Sequence, residues 1–398
     1  MDFKIEKAAQ EDWAEVIDLA NYVFSHSRGT TDFLRVLPKL YKQEYFMDST
    51  HYIVREEGRI KASLGAYPLK WEFNSGHSIA GCGVGMVSVH PYFRSRGYMS
   101  EMLKKVLDEM YRDGIVFTCL SGDRHRYENY GYTPVGSTYA FYCYERNIRH
   151  TLGLQWISKL SLISVKATDT KILEEIRKMH EAKMARMHRR EDRFFEILYS
   201  WRAEVFAIMD GDKFIGYFIC RDLRTGEHIV IELNMNDYSL LPQAMGLYVR
   251  QTNREPIRIN ANPHEWEKIA ALFGFTETHS IVPAYHFAIF DIKKFTEPFL
   301  QIASKIKNLA DGSFSFIVDD VYSGKKLRVS LSVNDRHPSI DVSEADKPNP
   351  GELCFNNLDA QYFLFSPMTA ETLPTIRESV FLQSLLPLPL FYENTDGV

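Results

Sequence analysis

The chain is short of cysteine. Its 398 residues hold five, Cys82, Cys119, Cys143, Cys220 and Cys354, an odd number and widely scattered. No CxxC pair occurs, so neither a zinc site nor a disulfide framework is indicated, and no metal is expected. Buried, reduced thiols in a cytoplasmic protein are the expectation. Long apolar runs are also missing: none approaches the ~20 residues of a membrane span. The opening MDFKIEKAAQEDW lacks the apolar stretch of a signal peptide. Positive charge is not in excess, with 47 Lys+Arg against 52 Asp+Glu and a net charge of -5. That balance argues against a nucleic-acid partner.

What is present is ordinary globular material, 45% hydrophobic and 25% charged. The length suffices for two or three domains of ~100–200 residues. Aromatics are plentiful, 26 Phe and 22 Tyr, which suits a protein with several sheets. A mixed α/β and α+β architecture follows from the patterning. Residues 3–8 alternate as a strand, 11–23 form an amphipathic helix, and 33–46 a second helix broken or kinked near Pro38. Residues 51–56 and 59–66 read as a hairpin about Glu57-Gly58. Gly81, Gly83 and Gly85 precede a strand and do not join one to a helix. They therefore predict close packing or a bulge, not a nucleotide fingerprint.

The stretch 86–100, MVSVHPYFRSRGYMS, carries the clearest chemistry. Val87 and Val89 alternate as a strand, and Pro91 ends it. Arg94, Ser95, Arg96, Gly97, Tyr98 and Met99 then lead into a helix with Met102, Leu103 and Val106 on one face. The first N–H groups of a helix have no internal partner, and the macrodipole makes that end positive. Gly97 allows close approach to the main chain, and Arg94 and Arg96 add charge. This is an anion cradle. A helix over 98–112, a buried strand over 115–120, a short helix over 124–129 and a last strand over 137–144 complete the first unit.

The pattern Val87-x-Val89-x-Pro91-x-x-Arg94-x-Arg96-Gly97 resembles motif A of the GNAT N-acetyltransferases. Tyr127-Glu128-Asn129-Tyr130-Gly131-Tyr132 resembles the YxxxGF/Y segment of the same superfamily. Met99 stands where the motif usually has Gly or Ala. The order of elements repeats over 162–291, where Leu272-Phe273-Gly274-Phe275 echoes Asn129-Tyr130-Gly131-Tyr132. After Leu233, however, comes Asn-Met-Asn-Asp-Tyr, without arginine or glycine, so the second copy lacks the cradle. The basic run 184–190 reads as a solvated helix end.

From 295 onward a helix, a hairpin about Ser323-Gly324-Lys325, two further strands and two helices resemble the sterol-carrier-protein fold. Two tandem GNAT folds followed by such a domain are similar to the enhanced-intracellular-survival (Eis) acetyltransferases. The resemblance implies three units, 1–150, 151–291 and 292–398, and a hexamer. It implies acetyl-CoA as co-substrate and a primary amine, on an aminoglycoside, polyamine or lysine, as acceptor. Residues 94–99 would bind the pyrophosphate, and the backbone of Val87 and Val89 the pantetheine arm. Tyr127 would be the general acid, since a phenol with a pKa of about 10 is protonated at neutral pH. The terminal carboxylate, here of Val398, would be the base, although the family's aromatic last residue is absent. His125, Glu128, His26 and His90 are local alternatives. The competing readings are transfer of a longer acyl group and lipid binding by the C-terminal unit without catalysis.

Overall fold

The computed structural model describes residues 3–153, 159–368 and 373–398. Three sheets organise them. The first begins with β1 (Ile5–Lys7), β2 (Thr50–Glu56), β3 (Arg59–Phe73), β4 (Ser78–Val89), β5 (Phe117–Leu120) and β6 (Thr133–Val135). Helix Trp13–Arg28 lies between β1 and β2 and buries Val16, Ile17, Ala20 and Val23. The helix expected over 33–46 is broken at Pro38, into two short turns, Phe33–Val36 and Pro38–Tyr41, and it ends in a 3-10 segment, Gln43–Asp48. Pro38 has no N–H to continue a helix, so the chain restarts there.

The strand expected to close the first unit crosses over. β7 (Thr138–Cys143) lies in the second sheet, between β14 and β13. That sheet is completed by β8 (Leu160–Ser164), β10 (Glu204–Asp210), β11 (Lys213–Asp222), β12 (His228–Met235), β13 (Ile257–Ala261) and β14 (Thr278–Val282), while β9 (Ala185–Met187) pairs with β3. In return, β15 (Tyr285–Ile289) inserts between β5 and β6 of the first sheet. The two sheets then carry one pairing pattern. Each has antiparallel neighbours except at a single parallel step, β4 with β5 in the first and β12 with β13 in the second. The repeat legible in the sequence is thus a repeat of topology, with one strand exchanged each way.

The third unit is helix Ile292–Ile306 and a four-stranded sheet of β16 (Gly312–Asp320), β17 (Lys325–Asn334), β18 (His337–Glu344) and β19 (Leu353–Asn356). Its Phe295, Phe299 and Phe316 share one apolar cluster with Trp71, Phe117 and Phe287 of the first sheet. The chain then turns back. Leu388 donates to Leu364 and Ser137 to Leu390 along the backbone, and Leu388, Leu390 and Tyr392 are buried. The last residues reach β4, the strand that leads into the cradle.

The run 184–190 is not a solvated helix end. The helix before it stops at Glu181, β9 follows, and Arg189 is buried between two carboxylates. Of the cysteines, Cys82, Cys119, Cys143 and Cys220 are buried, and Cys354 is exposed. Burial pushes the Cys119, Cys143 and Cys220 thiols up to about 12. No helix among the described residues is long and apolar enough to cross a membrane.

Candidate active site

β4 pairs with β5 only from Gly81 to Gly83, so residues 84–89 diverge from that neighbour. On its other side, β4 carries two residues opposite one of β3 between the Ser63–Ser88 and Gly65–Gly85 pairs. Met86 sits in this bulge with φ 53, a left-handed conformation unusual for its side chain. A splayed, bulged strand leaves backbone donors and acceptors for a ligand that lies along it.

At the far end of this strand the chain enters the loop 94–99. Ser95 and Gly97 are left-handed, with φ 65 and 83, the backbone from which anion-binding nests are built. Helix Tyr98–Arg112 begins at Gly97, and no side chain caps it. Glu56 steadies the loop from β2: it receives Arg96 at 3.1 Å and accepts from the Tyr98 hydroxyl. The Arg96 guanidinium also lies over the Phe93 ring at 4.6 Å. All eight residues expected to hold the cofactor, Val87, Val89, Arg94, Ser95, Arg96, Gly97, Tyr98 and Met99, line one cleft of about 550 Å³. Uncapped N–H groups, a left-handed glycine and two arginines suit a pyrophosphate.

The second unit differs at the corresponding point. There the Asp237 carboxylate accepts from the N–H of Ser239 at 2.9 Å, at the turn leading into helix Leu241–Thr252. Bonds to Ser239 hold this carboxyl below the usual carboxylate range. An anion of the chain's own already occupies that turn.

A second cavity, of about 180 Å³, adjoins the first; Phe24, Val87, Asp123 and Arg126 line both. Tyr127, Val398, Gly85 and Met86 meet in its wall. Tyr127 is buried, its ring packed on Gly122 and edge-on to Tyr132 at 6.1 Å. Tyr130 and Tyr132 are packing residues: Tyr132 is buried in the core around Tyr127 and Tyr130 packs against it, and the Tyr132 hydroxyl is engaged with Thr118 at 3.0 Å. The three glycines of β4 exist for close approach. A Cβ on Gly81 would enter the Phe117 ring, and one on Gly83 would lie 2.6 Å from Val398 Cγ2. One on Gly85 would lie 3.6 Å from the carboxyl carbon of Val398.

The tail is anchored residue by residue. Lys39 Nζ donates to the Thr395 carbonyl at 2.8 Å, and Trp201 Nε1 to that of Gly397 at 3.4 Å. Asn260 donates to the Asn394 side chain at 3.0 Å. Lys183 joins Glu232 and Glu393 at 3.0 and 2.6 Å. Burial lowers Lys39 to about 7 and pushes the Glu393 carboxyl up. Val398 itself is only 7% exposed.

The structure thus brings Tyr127, Val398 and the splayed half of β4 together. Among the described residues, His26, His90, His125 and Glu128 are not in the lining of this cavity. His125 is almost fully exposed beside Glu128, and His90 stacks on Tyr22 at 5.2 Å. Sequence reasoning missed Phe24, Phe33, Tyr41 and Trp201, which wall the cavity, and Arg126 and Arg224, which bring charge to it. Trp201 and Arg224 come from the second unit, and no local motif marks them.

Residues 4–135 match the family model described as the acetyltransferase (GNAT) domain. The chain therefore carries the acetyltransferase domain that the Arg94 loop and Tyr127 segment led one to expect. A search of curated proteins returned no sequence match. Whole-chain structural likenesses are extensive at low identity. A probable N-acyltransferase from Enterococcus faecalis V583 has a TM-score of 0.67 at 16% identity, covering 98% of this chain and 100% of that one. A GCN5-related N-acetyltransferase from Kribbella flavida has a TM-score of 0.63 at 16% identity, covering 98% and 95%. Eis1 from Mycobacterium abscessus has a TM-score of 0.59 at 13% identity, covering 98% and 99%. These likenesses show a fold shared along the length of the chain.

Proposed function

We propose that the protein transfers the acetyl group of acetyl-CoA to a primary amine, the amine attacking the thioester carbonyl directly in a ternary complex. The observation that carries this reading is the meeting of Tyr127, the bulge at Met86 and the Val398 carboxylate in one cavity. That cavity shares its walls with the cleft of residues 94–99. Acetyl-CoA supplies the acyl group and a thiolate that leaves.

The chain's own residues divide the remaining work. The loop 94–99 holds the pyrophosphate, and the backbone of Val87 and Val89 pairs with the pantetheine arm. A backbone N–H near Val87 faces the carbonyl oxygen as negative charge grows on it. The acceptor arrives as an ammonium with a pKa of about 10 and must lose a proton. The Val398 carboxylate takes it, directly or through water. The Tyr127 phenol protonates the departing sulfur.

Aminoglycosides, polyamines and lysine side chains are the acceptor classes that the Eis resemblance suggests. As segments of chain we propose a catalytic unit over 1–150, a second unit over 151–291 without a cofactor site, and a sterol-carrier-like unit over 292–398. A cytoplasmic hexamer is the assembly in keeping with that build. The deciding experiment follows CoA release from acetyl-CoA over a panel of amines, with calorimetric titration of CoA alongside. Turnover with one CoA bound per chain is expected. Binding without turnover of any amine would overturn the reading, and turnover only with longer acyl-CoA would correct the donor.

A further inference from the structure

The acceptor cavity is walled by aromatic rings. Phe24 meets Phe33 edge-on at 5.0 Å, and Phe33 meets Tyr41 the same way at 5.1 Å. The Tyr41 hydroxyl is engaged with that of Tyr67 at 2.9 Å, so this side offers ring surface more than polar atoms. Trp201 closes the wall from the second unit, with the Arg221 guanidinium 5.4 Å from its ring centre.

The charges on the lining are few and balanced in sign. Arg126 and Arg224 are its two side-chain cations, and Asp123 is its one side-chain carboxylate among the described residues. Asp123 is paired with Arg126 at 3.2 Å. The remaining anion is the carboxylate of Val398, beside Gly85. The space is about 180 Å³, below the ~300–1,000 Å³ of pockets that enclose drug-sized ligands.

We infer that the acceptor is a small monoamine with an apolar or aromatic body, and not a polycation. One ammonium can be set against the Val398 carboxylate while its carbon frame lies on Phe24, Phe33 and Trp201. A second or third ammonium would leave water for an aromatic wall whose one side-chain carboxylate, Asp123, is already paired with Arg126. It would also meet Arg224, whose charge repels it. The Trp201 face gives little relief as a cation site, because the Arg221 guanidinium already lies over it. Arg224 is therefore a specificity-determining residue supplied by the second unit.

This inference rests on the proposed acetyl transfer and is tested within the same assay. Initial rates of CoA release would be compared for 2-phenylethylamine and hexylamine against spermidine and kanamycin. The expected result is at least a tenfold higher kcat/KM for the monoamines. Arg224 is exposed, so Arg224→Glu should fold, and it should narrow that ratio at least tenfold by favouring spermidine. Polycations turned over as well as or better than the monoamines would overturn the inference while leaving acetyl transfer intact. An unchanged ratio in Arg224→Glu would remove Arg224 from its role. Failure of every amine, with acetyl-CoA still bound, would overturn the transfer reading and this inference with it.

Discussion

Arg189 grips Asp396 at two points, Nε to Oδ1 at 2.8 Å and Nη2 to Oδ2 at 3.1 Å, with both side chains almost wholly buried. The other edge of the same guanidinium takes Glu232, Nη2 to Oε2 at 2.7 Å and Nη1 to Oε1 at 3.2 Å. A residue between β9 and the following segment thus ties the core of the second sheet to the third residue from the end of the chain. The planar fork of arginine suits two carboxylates at once. Removing it would leave Asp396 buried without that partner and Glu232 held by Lys183 and Tyr217 alone. Arg189→Met is therefore expected to cost about 3–5 kcal/mol of stability in denaturant unfolding. At temperatures where the variant stays folded, its transfer rate should fall more than its CoA affinity, because the tail loses its position.

Tyr127→Phe removes one oxygen from a buried ring whose packing against Gly122 and Tyr132 is otherwise unchanged. The turnover number should fall by about 10²–10⁴-fold, the usual contribution of a positioned acid. CoA affinity should stay within a few-fold by calorimetric titration. Unchanged turnover would remove Tyr127 from the chemistry.

Gly83→Ala places a methyl group where the Val398 side chain lies. Overpacking of this kind costs ~1–3 kcal/mol. The larger effect should be on rate, on the order of 10²-fold, because the carboxylate is pushed from its place. Steady-state kinetics beside thermal unfolding separates the two effects. A variant with full activity would show that the position of Val398 does not matter.

His51 supplies a pH dependence. It is buried, stacks on Phe46 at 4.3 Å and finds no hydrogen-bond partner for either ring nitrogen. Burial lowers it to about 4, against about 6.5 in the unfolded chain. Between those values the unfolded chain binds the extra proton. The stability tied to a neutral His51 is thus full above pH 6.5 and is lost as pH falls toward 4. The loss amounts to about 3 kcal/mol at ~1.4 kcal/mol per pH unit. His51→Phe, which preserves the stack, should flatten the stability profile over that window in urea unfolding. An unchanged slope would exclude His51 as its source.

Local patterns made much of this protein legible in its sequence. The cradle could be read because its parts are contiguous: Val87 and Val89 alternate, Pro91 ends the strand, and Gly97 precedes the helix. The glycines of β4 announced close packing, although not that the end of the chain is what packs there. The strands β14 and β15 left no clear trace, and β15 is legible only afterwards as a short apolar run, Phe287, Ala288 and Ile289, buried on both faces. The exchange of β7 for β15 could not be read, because strand partners are set by contacts far apart in sequence. Arg189 was misread for the same reason. A cluster of basic residues is ordinarily solvated, and only the fold brings Glu232 and Asp396 to it. The acceptor wall likewise depends on Trp201 and Arg224, which become neighbours of Phe33 only when two units meet.

The exchanged strands bear on how the acceptor is selected. Because β7 belongs to one half by sequence and to the other by hydrogen bonding, and β15 does the reverse, the halves are interlocked like clasped hands. A hinge between them would have to tear ladder bonds in both sheets at once. Trp201 and Arg224 therefore hold a fixed place in the wall shared with Phe24 and Phe33, as parts of a gauge and not of a closing lid. Discrimination among amines on such a gauge is settled at binding, so good and poor acceptors should differ without any slow step preceding transfer, and heat should undo both halves in a single transition.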